Sequence, residues 1–463
     1  MIPISVQSPY SLARCSRPLV VVLFLIGWGA RPAQPQDSQP VIRVTRISPT
    51  EARSAVEVSV GINPTQPDNL VAAAIMRGYP ASKEPNFRFV SHDGGATWTT
   101  IPALNPDQRT QGDDVIAFHA DGTVIHGYIC FTGLWDQRPT RAATGIFIGR
   151  STDGGNTWEP PAIVVDHQNT KTPMEDKPWF CFDRQPDSDH FGNLYASWTR
   201  FDVYGSEDPQ DTTQILFARS TDGGRTFEPV YRISDAGGSC VDGDDAVEGA
   251  VPCVGVDGTV YVAWAGPRGI EMDVSQDGGQ TFGTDRVIAT MHGGWDHQVE
   301  GVGRANGMPV TAVDHSSGPF RGSIYVNFVD ERNGDPDVFL ISSRDSGATW
   351  SEPVRVNADR LGNGRDQFFT WMAVDPVDGS INIAYYDRGA TEGTRTGITL
   401  ARSRDGGRSF EHFAVPIAPF TPNPKVFFGD YLGIDAWDGR VVVAFMHFTS
   451  PQTTALSAAV FDF

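Results

Sequence analysis

Acidic side chains recur along this 463-residue chain at one position of a repeating pattern, close to the start of a short apolar run. They are Glu57, Asp114, Asp176, Glu248, Asp366 and Asp430. Further polar groups follow the next apolar run, at Arg77, Arg200 with Asp202, Arg268, Asp330 to Arg332, Asp387 with Arg388, and His447. Carboxyl groups exchange protons with a substrate, and guanidinium groups bind anions through paired hydrogen bonds. If the fold brings these groups together, they form a pocket suited to acid–base chemistry.

The elements that position these residues come from a repeat of about sixty residues. Each of six copies contains a Ser-x-Asp-x-Gly-x-Thr/Ser-aromatic turn, at 91–98, 151–158, 220–227, 275–282, 343–350 and 403–410. The aspartates of these turns are Asp93, Asp153, Asp222, Asp277, Asp345 and Asp405. An aspartate in a tight turn accepts backbone N–H hydrogen bonds, and glycine supplies a positive φ. The pattern therefore predicts a strand–turn–strand hairpin in which the aspartate is structural.

A second hairpin alternates with the first and consists of two apolar strands around a tight Asp/Asn turn, as in 254–264 and 372–386. The two hairpins give four strands per repeat, which is typical of the blades of a β-propeller. The second hairpin occurs seven times and the Asp turn six times, so the last blade lacks a strand. The run 41–46 can supply that strand and remove an exposed edge. We therefore predict an all-β propeller of seven four-stranded antiparallel blades closed by the mature N-terminal strand, with six blades as the alternative.

The N-terminal segment has the features of a secretory signal. Arg14 and Arg17 precede an apolar run at 19–26, and small residues follow near 29–33. That run is too short to span a bilayer. We expect a signal peptide over 1–36, a single propeller domain over 37–463, and a secreted or periplasmic monomer without a membrane span. The net charge of −20 argues against nucleic acid as a partner.

Four cysteines remain after the predicted signal, namely Cys130, Cys181, Cys240 and Cys253. An even number in an exported chain favours disulfides. The order of the blades predicts the pairs 130–181 and 240–253, with buried free thiols as the alternative. The acidic loops 242–245 and 333–337 offer oxygen ligands of the kind Ca²⁺ prefers, but they lack a fixed ligand spacing. No cofactor is therefore predicted, and Ca²⁺ is kept as a weaker alternative.

The six Asp turns resemble the Asp-box, or BNR repeat, of the sialidase-like propellers, and the likeness covers nearly all of the chain after the signal. The segments 176–179, 365–371, 385–388 and 428–431 resemble those of bacterial exported sialidase-family proteins. The resemblance implies a propeller with glycosidase activity on a glycan at one end of the central channel. It also implies that the Asp-boxes lie on the rim, away from the substrate.

For the chemistry, the resemblance implies an arginine cluster, a tyrosine nucleophile assisted by a glutamate, and an aspartic acid that serves as acid and base. The residues offered for these roles are Arg200, Arg332 and Arg388 for the cluster, Tyr386 or Tyr431 for the nucleophile, Glu248 or Glu331 for its partner, and Asp176 or Asp114 for the acid. Asp114, Glu248, Asp366 and Asp430 are also expected to contact the substrate.

The sequence also departs from the sialidase pattern. It lacks a Phe/Tyr-Arg-Ile-Pro segment near its start, and six carboxylates around one pocket would repel an anionic sugar. Two further hypotheses therefore stay open. One is a non-catalytic propeller that binds a glycan or a protein. The other is a polysaccharide lyase that uses a tyrosine with a histidine such as His292 or His297, which flank Trp295.

Overall fold

The computed structural model describes residues 39–77, 86–136 and 141–463, and its regular structure is almost entirely β-strand. One 3₁₀ turn, Pro106–Gln108, is the exception in this part of the chain. The predicted signal peptide over 1–36 lies outside the described residues. Across the three described ranges, no helix has the length and apolar character needed to cross a membrane.

The described residues form twenty-nine strands. In chain order they are β1 (Val41–Arg46), β2 (Ser54–Ile62), β3 (Leu70–Arg77), β4 (Phe87–Ser91), β5 (Thr99–Pro102), β6 (Thr110–Phe118), β7 (Val124–Thr132), β8 (Ala143–Ser151), β9 (Ala162–Gln168), β10 (Met174–Phe182), β11 (Leu194–Phe201), β12 (Thr212–Ser220), β13 (Tyr231–Arg232), β14 (Gly238–Ser239), β15 (Glu248–Val254), β16 (Val260–Gly266), β17 (Gly269–Ser275), β18 (Arg286–Ala289), β19 (Val310–Val313), β20 (Ile324–Asp330), β21 (Asp337–Ser343), β22 (Val354–Arg355), β23 (Gln367–Val374), β24 (Ile381–Asp387), β25 (Gly397–Ser403), β26 (Glu411–Ala414), β27 (Gly433–Trp437), β28 (Arg440–Ser450) and β29 (Thr453–Asp462).

These strands form seven antiparallel sheets, so the predicted seven-bladed propeller is confirmed and the six-bladed alternative is wrong. Six blades use four consecutive strands each, starting at β2, β6, β10, β15, β19 and β23, and the third carries the short extra strand β14. The first strand of each blade contacts the first strand of the next, and β27 contacts β2. The innermost strands β2, β6, β10, β15, β19, β23 and β27 thus surround one central channel.

The seventh blade joins the first and last strands of the described residues. It contains β27, β28, β29 and β1, and β1 pairs antiparallel with β29 from Val41 opposite Asp462 to Arg46 opposite Ser457. The predicted closure by the N-terminal strand is therefore confirmed. It covers the edge of β29 that would otherwise present unpaired backbone groups.

The six Asp-box turns share one hydrogen-bond pattern. In the first, Asp93 Oδ1 accepts from Ser91 Oγ at 2.8 Å and from Thr97 N at 2.9 Å, and Oδ2 accepts from Thr97 Oγ1 at 2.6 Å. The hydrogen bonds from Thr97 lower the pKa of Asp93 to about 2. Each turn follows the third strand of a blade, so it lies at the end of the propeller opposite the starts of the innermost strands. The aspartates therefore stabilise turns, as the sequence predicts.

The two predicted disulfides are wrong, because all four cysteines are free thiols. Each belongs to a different apolar cluster: Cys130 contacts Tyr128 and Phe147, and Cys240 lies among residues of the second and third blades. Cys181 and Cys253 lie on the innermost strands β10 and β15. Adjacency of blades in the chain was therefore not enough to bring the predicted partners into contact.

Removing residues 41–46 tests the closure of the ring. We expect the midpoint of thermal unfolding to fall by at least about 5 °C, because β29 loses its only partner on that side. The measurement is a calorimetric scan of the shortened and complete proteins. Val41→Ser, at the exposed start of the same strand, is the matched control and should leave the midpoint unchanged. Equal midpoints for the shortened and complete proteins would contradict the closure.

Candidate active site

A β-bulge recurs near the start of five innermost strands. In β2, β6, β10, β15 and β23 the pairing register shifts, and the first residue inside the bulge has a positive φ. These residues are Glu57 (φ 52°), Asp113 (53°), Lys177 (48°), Gly249 (71°) and Phe369 (47°). A left-handed backbone is uncommon for residues other than glycine, and bulges redirect side chains. The repeated bulge therefore directs charged side chains toward the end of the channel where the innermost strands begin. We call this end the mouth of the channel.

Lys177 lies at the centre of a group of carboxylates. Its Nζ atom is 3.1 Å from Asp176 Oδ2, 3.2 Å from Glu248 Oε2 and 4.0 Å from Asp430 Oδ2, and all four side chains are almost fully buried. Burial alone would lower the pKa of Lys177, but the neighbouring carboxylates outweigh it and raise that pKa. The lysine is therefore a permanent ammonium ion. We call Glu57, Asp113, Asp176, Lys177, Glu248 and Asp430 the carboxyl cluster.

Arg304 holds Asp430 from the long loop between β18 and β19. Its Nε donates to Asp430 Oδ1 at 2.9 Å, and Nη2 donates to Oδ2 of the same carboxylate. Asp430 is the main cause that raises the pKa of Arg304. Nη1 of Arg304 also lies 3.4 Å from Asp242 Oδ2, which accepts a hydrogen bond from Tyr204 Oη at 2.9 Å. Asp430 is thus held in place by a bidentate guanidinium contact.

Glu57 is almost fully buried beside these charged groups. Burial, followed by the charge of Asp430, raises the pKa of Glu57 to about 8, although Arg304 and Lys177 act in the opposite direction. Glu57 is therefore largely a neutral carboxylic acid at pH 7. A protonated carboxyl next to fixed carboxylates is an arrangement that separates a general acid from a base.

Two further carboxyls of the cluster also favour their neutral forms. Burial and the charge of Asp176 raise the pKa of Asp113, whose Oδ2 accepts a hydrogen bond from Lys177 N at 2.8 Å. Burial also raises the pKa of Glu248, against the influence of Lys177, and the carboxyl of Asp242 adds to the rise. Trp295 shields this side, with its ring centroid 5.6 Å from Lys177 Nζ. The cluster thus keeps several protons in a region with little water.

Three aromatic rings separate the carboxyl cluster from the rest of the channel. Trp179 and Trp371 pack together with centroids 4.2 Å apart and planes tilted by 40°, and Tyr431 lies 5.5 Å and 5.6 Å from them. Beyond these rings, a cavity of about 190 Å³ is lined by all seven innermost strands. Burial and the nearby carboxyls raise the pKa of Tyr431, and its hydroxyl donates to Asp114 O at 3.3 Å. Tyr431 therefore stays protonated beneath the cluster.

Of the residues that the sequence offered for the site, Asp176, Glu248 and Asp430 come together around Lys177, with Tyr431 below them. Asp114 is fully buried and turns toward the second blade, where its Oδ1 lies 2.5 Å from His126 Nε2.

The other proposed residues stand apart from the cluster. Tyr386 is fully buried, and its hydroxyl donates to Met446 O at 2.8 Å and accepts from Met446 N at 3.1 Å. The remaining residues are held in local pairs: Arg388 with Asp366 at 2.7 Å, Arg332 with Asp330 at 2.7 Å, Arg200 with Asp202 at 3.8 Å, and Glu331 with His297 at 3.0 Å. The structure thus does not assemble Arg200, Arg332 and Arg388 into one anion site.

Sequence reasoning did not assign a role to Asp113, Arg304, Tyr204 or Asp242 as partners in the site. For Asp113 the sequence did contain a signal, namely the two adjacent charged residues at 113–114, which recur at 176–177. In the structure, the bulge at each of these pairs turns the two neighbouring side chains in different directions. Arg304 lies in a loop of twenty residues between β18 and β19, and loops of that length in a compact fold are often functional.

Clusters of acidic side chains can also hold a metal ion. In the part of the chain that the structure describes, no group of three or more His, Cys, Asp or Glu side chains is arranged to hold a metal ion. The loops considered for Ca²⁺ are engaged with protein donors: Asp242 with Tyr204 and Arg304, and Asp337 with Asn333 and Arg355. The centre of the carboxyl cluster is filled by an ammonium group.

Comparison with known proteins agrees with this architecture. The family model described as BNR/Asp-box repeat matches residues 89–100, which contain the first of the six turns. A xyloglucanase of Acetivibrio thermocellus is 25% identical over 318 residues, and the match covers 63% of this chain. The chain spans about a third of that relative, since the match covers 32% of it.

Among solved structures, a protein of unknown function from Dyadobacter fermentans has a TM-score of 0.50 at 14% identity, covering 91% of this chain and 99% of that one. The Hadza microbial sialidase Hz136 has a TM-score of 0.47 at 17% identity, covering 84% of this chain and 73% of that one. The first of these similarities supports the propeller fold alone.

Replacing the central lysine tests the electrostatic structure of the cluster. In Lys177→Met, Asp176, Glu248 and Asp430 lose their shared ammonium group, so we expect a loss of about 3–5 kcal/mol in the free energy of unfolding at pH 8. The loss should shrink at pH 5, because the carboxyls then take up protons that remove their repulsion. Chemical denaturation at both pH values measures this. The exposed control Lys425→Met should change little at either pH, and a pH-independent loss in Lys177→Met would contradict the account.

Proposed function

We propose that this protein is a glycoside hydrolase that works at the carboxyl-cluster end of its channel, with Glu57 as the general acid. The observation that carries the proposal is that one buried carboxyl, with its pKa raised to about 8, lies among carboxyl groups that pair with Arg304 and Lys177. Hydrolysis of a glycosidic bond by two carboxyls requires one protonated and one ionised group at the same time.

The proposed reaction follows from these charges. Glu57 donates its proton to the glycosidic oxygen as the bond from that oxygen to the anomeric carbon breaks. The carboxylate of Asp430 or Asp176 faces the positive charge that develops on the sugar and orients a water molecule. The water oxygen bonds to the anomeric carbon and its proton passes to that carboxylate, which then releases the proton to solvent, while Glu57 regains a proton from solvent. Lys177 and Arg304 serve as positioning residues, because they fix the two carboxylates.

An uncharged sugar fits this site better than sialic acid. Arg200, Arg332 and Arg388 are each engaged in a separate local pair, so no arginine cluster is free for a substrate carboxylate. The similarity to a xyloglucanase supports a neutral glycan as the substrate class.

A second candidate is a propeller that binds a glycan without cleaving it. The pairing of Arg304 and Lys177 with Asp430 favours it, because groups that satisfy one another form a stable surface without any turnover. The two candidates differ in whether the proton on Glu57 is used.

Glu57→Gln is the direct test of the proposed acid. The amide keeps the size of the side chain but has no proton to transfer, so hydrolysis of an uncharged aryl glycoside or polysaccharide should slow by about 10²–10⁴-fold. The rate of the unmodified enzyme should fall as the pH rises above about 8, where Glu57 loses its proton. Rates across pH 5–9 on neutral substrates, with a sialoside for comparison, measure both effects.

Glu331→Gln is the matched control, because Glu331 pairs with His297 outside the cluster. It should retain its rate, and so should Tyr386→Phe. Azide added to Asp430→Ala and Asp176→Ala should restore activity only in the variant that lacks the carboxylate at the anomeric carbon. Turnover unchanged by Glu57→Gln would rule out Glu57 as the acid, and the absence of turnover on every neutral substrate would favour the binding protein.

The same carboxyl affects stability. Because the pKa of Glu57 is raised from 4.5 to about 8 on folding, the folded protein holds a proton that the unfolded chain releases. This stabilisation is complete below pH 4.5 and is lost as the pH rises toward 8. We expect Glu57→Gln to reduce the decline of the unfolding free energy between pH 5 and 8, measured by chemical denaturation. An unchanged decline would contradict the raised pKa.

A further inference from the structure

Trp135 is an aromatic ring fixed in an exposed position. Its side chain is 67% exposed, more than any other large apolar residue in the described ranges. Phe131 and Tyr204 hold it, with ring centroids 6.4 Å and 5.5 Å away and planes tilted by 84° and 78°. An exposed and immobilised aromatic ring needs an explanation, because it leaves a large apolar face in water.

Trp135 lies at the same end of the propeller as the carboxyl cluster. It belongs to the loop that leaves β7, and Tyr204 belongs to the equivalent loop after β11 in the next blade. Both loops connect a second strand to a third strand, and these connections share one end with the starts of the innermost strands. Trp135 is therefore part of the rim around the proposed site.

Phe427 forms a second aromatic surface on this rim. It precedes β27 and is 36% exposed. The guanidinium carbons of Arg77 and Arg304 lie 5.6 Å and 5.5 Å from its ring centroid. These cation–π contacts fix the ring while leaving part of it exposed.

A continuous series of contacts connects the two aromatic surfaces. From Trp135 it passes to Tyr204, whose hydroxyl donates to Asp242 Oδ2 at 2.9 Å, and Asp242 Oδ2 lies 3.4 Å from Arg304 Nη1. Arg304 then contacts both Phe427 and the Asp430 carboxylate. The series thus links Trp135, on the side of the second and third blades, to Phe427, on the side of the seventh, through Arg304, which also contacts Asp430 of the carboxyl cluster.

We propose that Trp135 and Phe427 are sugar-binding platforms on either side of the carboxyl cluster, and that the mouth binds an uncharged oligosaccharide of several units along this line. The C–H faces of a pyranose or furanose ring stack on an aromatic ring, while the hydroxyl groups find the Asp, Arg and Tyr groups between the platforms. Sugar units on both sides of Glu57 mean that cleavage occurs inside a chain rather than at its end. The cleavage position rests on the proposed function, but the binding does not.

Binding is measured in the Glu57→Gln background, so that hydrolysis does not consume the probe. Calorimetric titrations with cellohexaose and arabinohexaose test the neutral class, and 3′-sialyllactose tests an anionic ligand. We expect at least one hexasaccharide to bind, and Trp135→Ala and Phe427→Ala each to weaken it about 3- to 10-fold, the effect of one lost aromatic contact. Trp135→Phe should recover part of the affinity.

Phe191→Ala is the matched control, because Phe191 is 45% exposed on a loop at the opposite end of the channel. It should leave the affinity unchanged. Three results would each contradict the proposed sugar-binding platforms. They are binding that neither Trp135→Ala nor Phe427→Ala weakens, no binding of either hexasaccharide, and a preference for 3′-sialyllactose.

The products distinguish failure of this inference from failure of the proposed function. With active enzyme and a hexasaccharide that is cleaved, we expect the first products to be internal fragments. Release of single sugars only would overturn the internal position of cleavage. If no glycan is hydrolysed but Trp135→Ala still weakens hexasaccharide binding, the platforms stand and the hydrolase proposal fails.

Discussion

The ammonium group of Lys177 among Asp176, Glu248 and Asp430 is the interaction on which the site depends. Several carboxyls buried at one mouth would repel one another and draw in water if no cation stood between them. Lys177 and Arg304 supply the two positive charges that pair with these carboxyl groups. Glu57 lies beside this arrangement, where burial raises its pKa and the charge of Asp430 raises it further.

The propeller makes this arrangement possible through its bulges and its closure. Each innermost strand brings only one or two polar side chains to the mouth, so a cluster forms only when several blades are held at a constant distance from the axis. The bulge in β10 gives Asp176 and Lys177 different directions, and Trp179, just after it, packs against Trp371 from the opposite side of the channel. Pairing of β1 with β29 holds the ring closed around these contacts.

The periodic part of the structure was predictable from sequence, and the contacts between distant loops were not. The Asp-box spacing and the unassigned strand at 41–46 were sufficient for seven blades and their closure. Asp176, Glu248 and Asp430 were recognisable because they share a position in the repeat. Arg304 and Tyr204 share no such position, since they come from loops without a repeat. Tyr386 is fully buried, and its burial was not predictable because the pattern does not show which face of a strand meets the next blade. The prediction of two disulfides failed for a similar reason, because cysteines on neighbouring blades need not have neighbouring side chains.

The protonation of Glu57 at neutral pH is the central claim, and infrared difference spectroscopy tests it most directly. The difference between the intact protein and Glu57→Gln isolates the carbonyl stretch of the Glu57 carboxylic acid. The account predicts that this band is present at pH 7 and disappears with a midpoint near pH 8. A band that is already absent above pH 5 would show that Glu57 is ionised and would contradict the account.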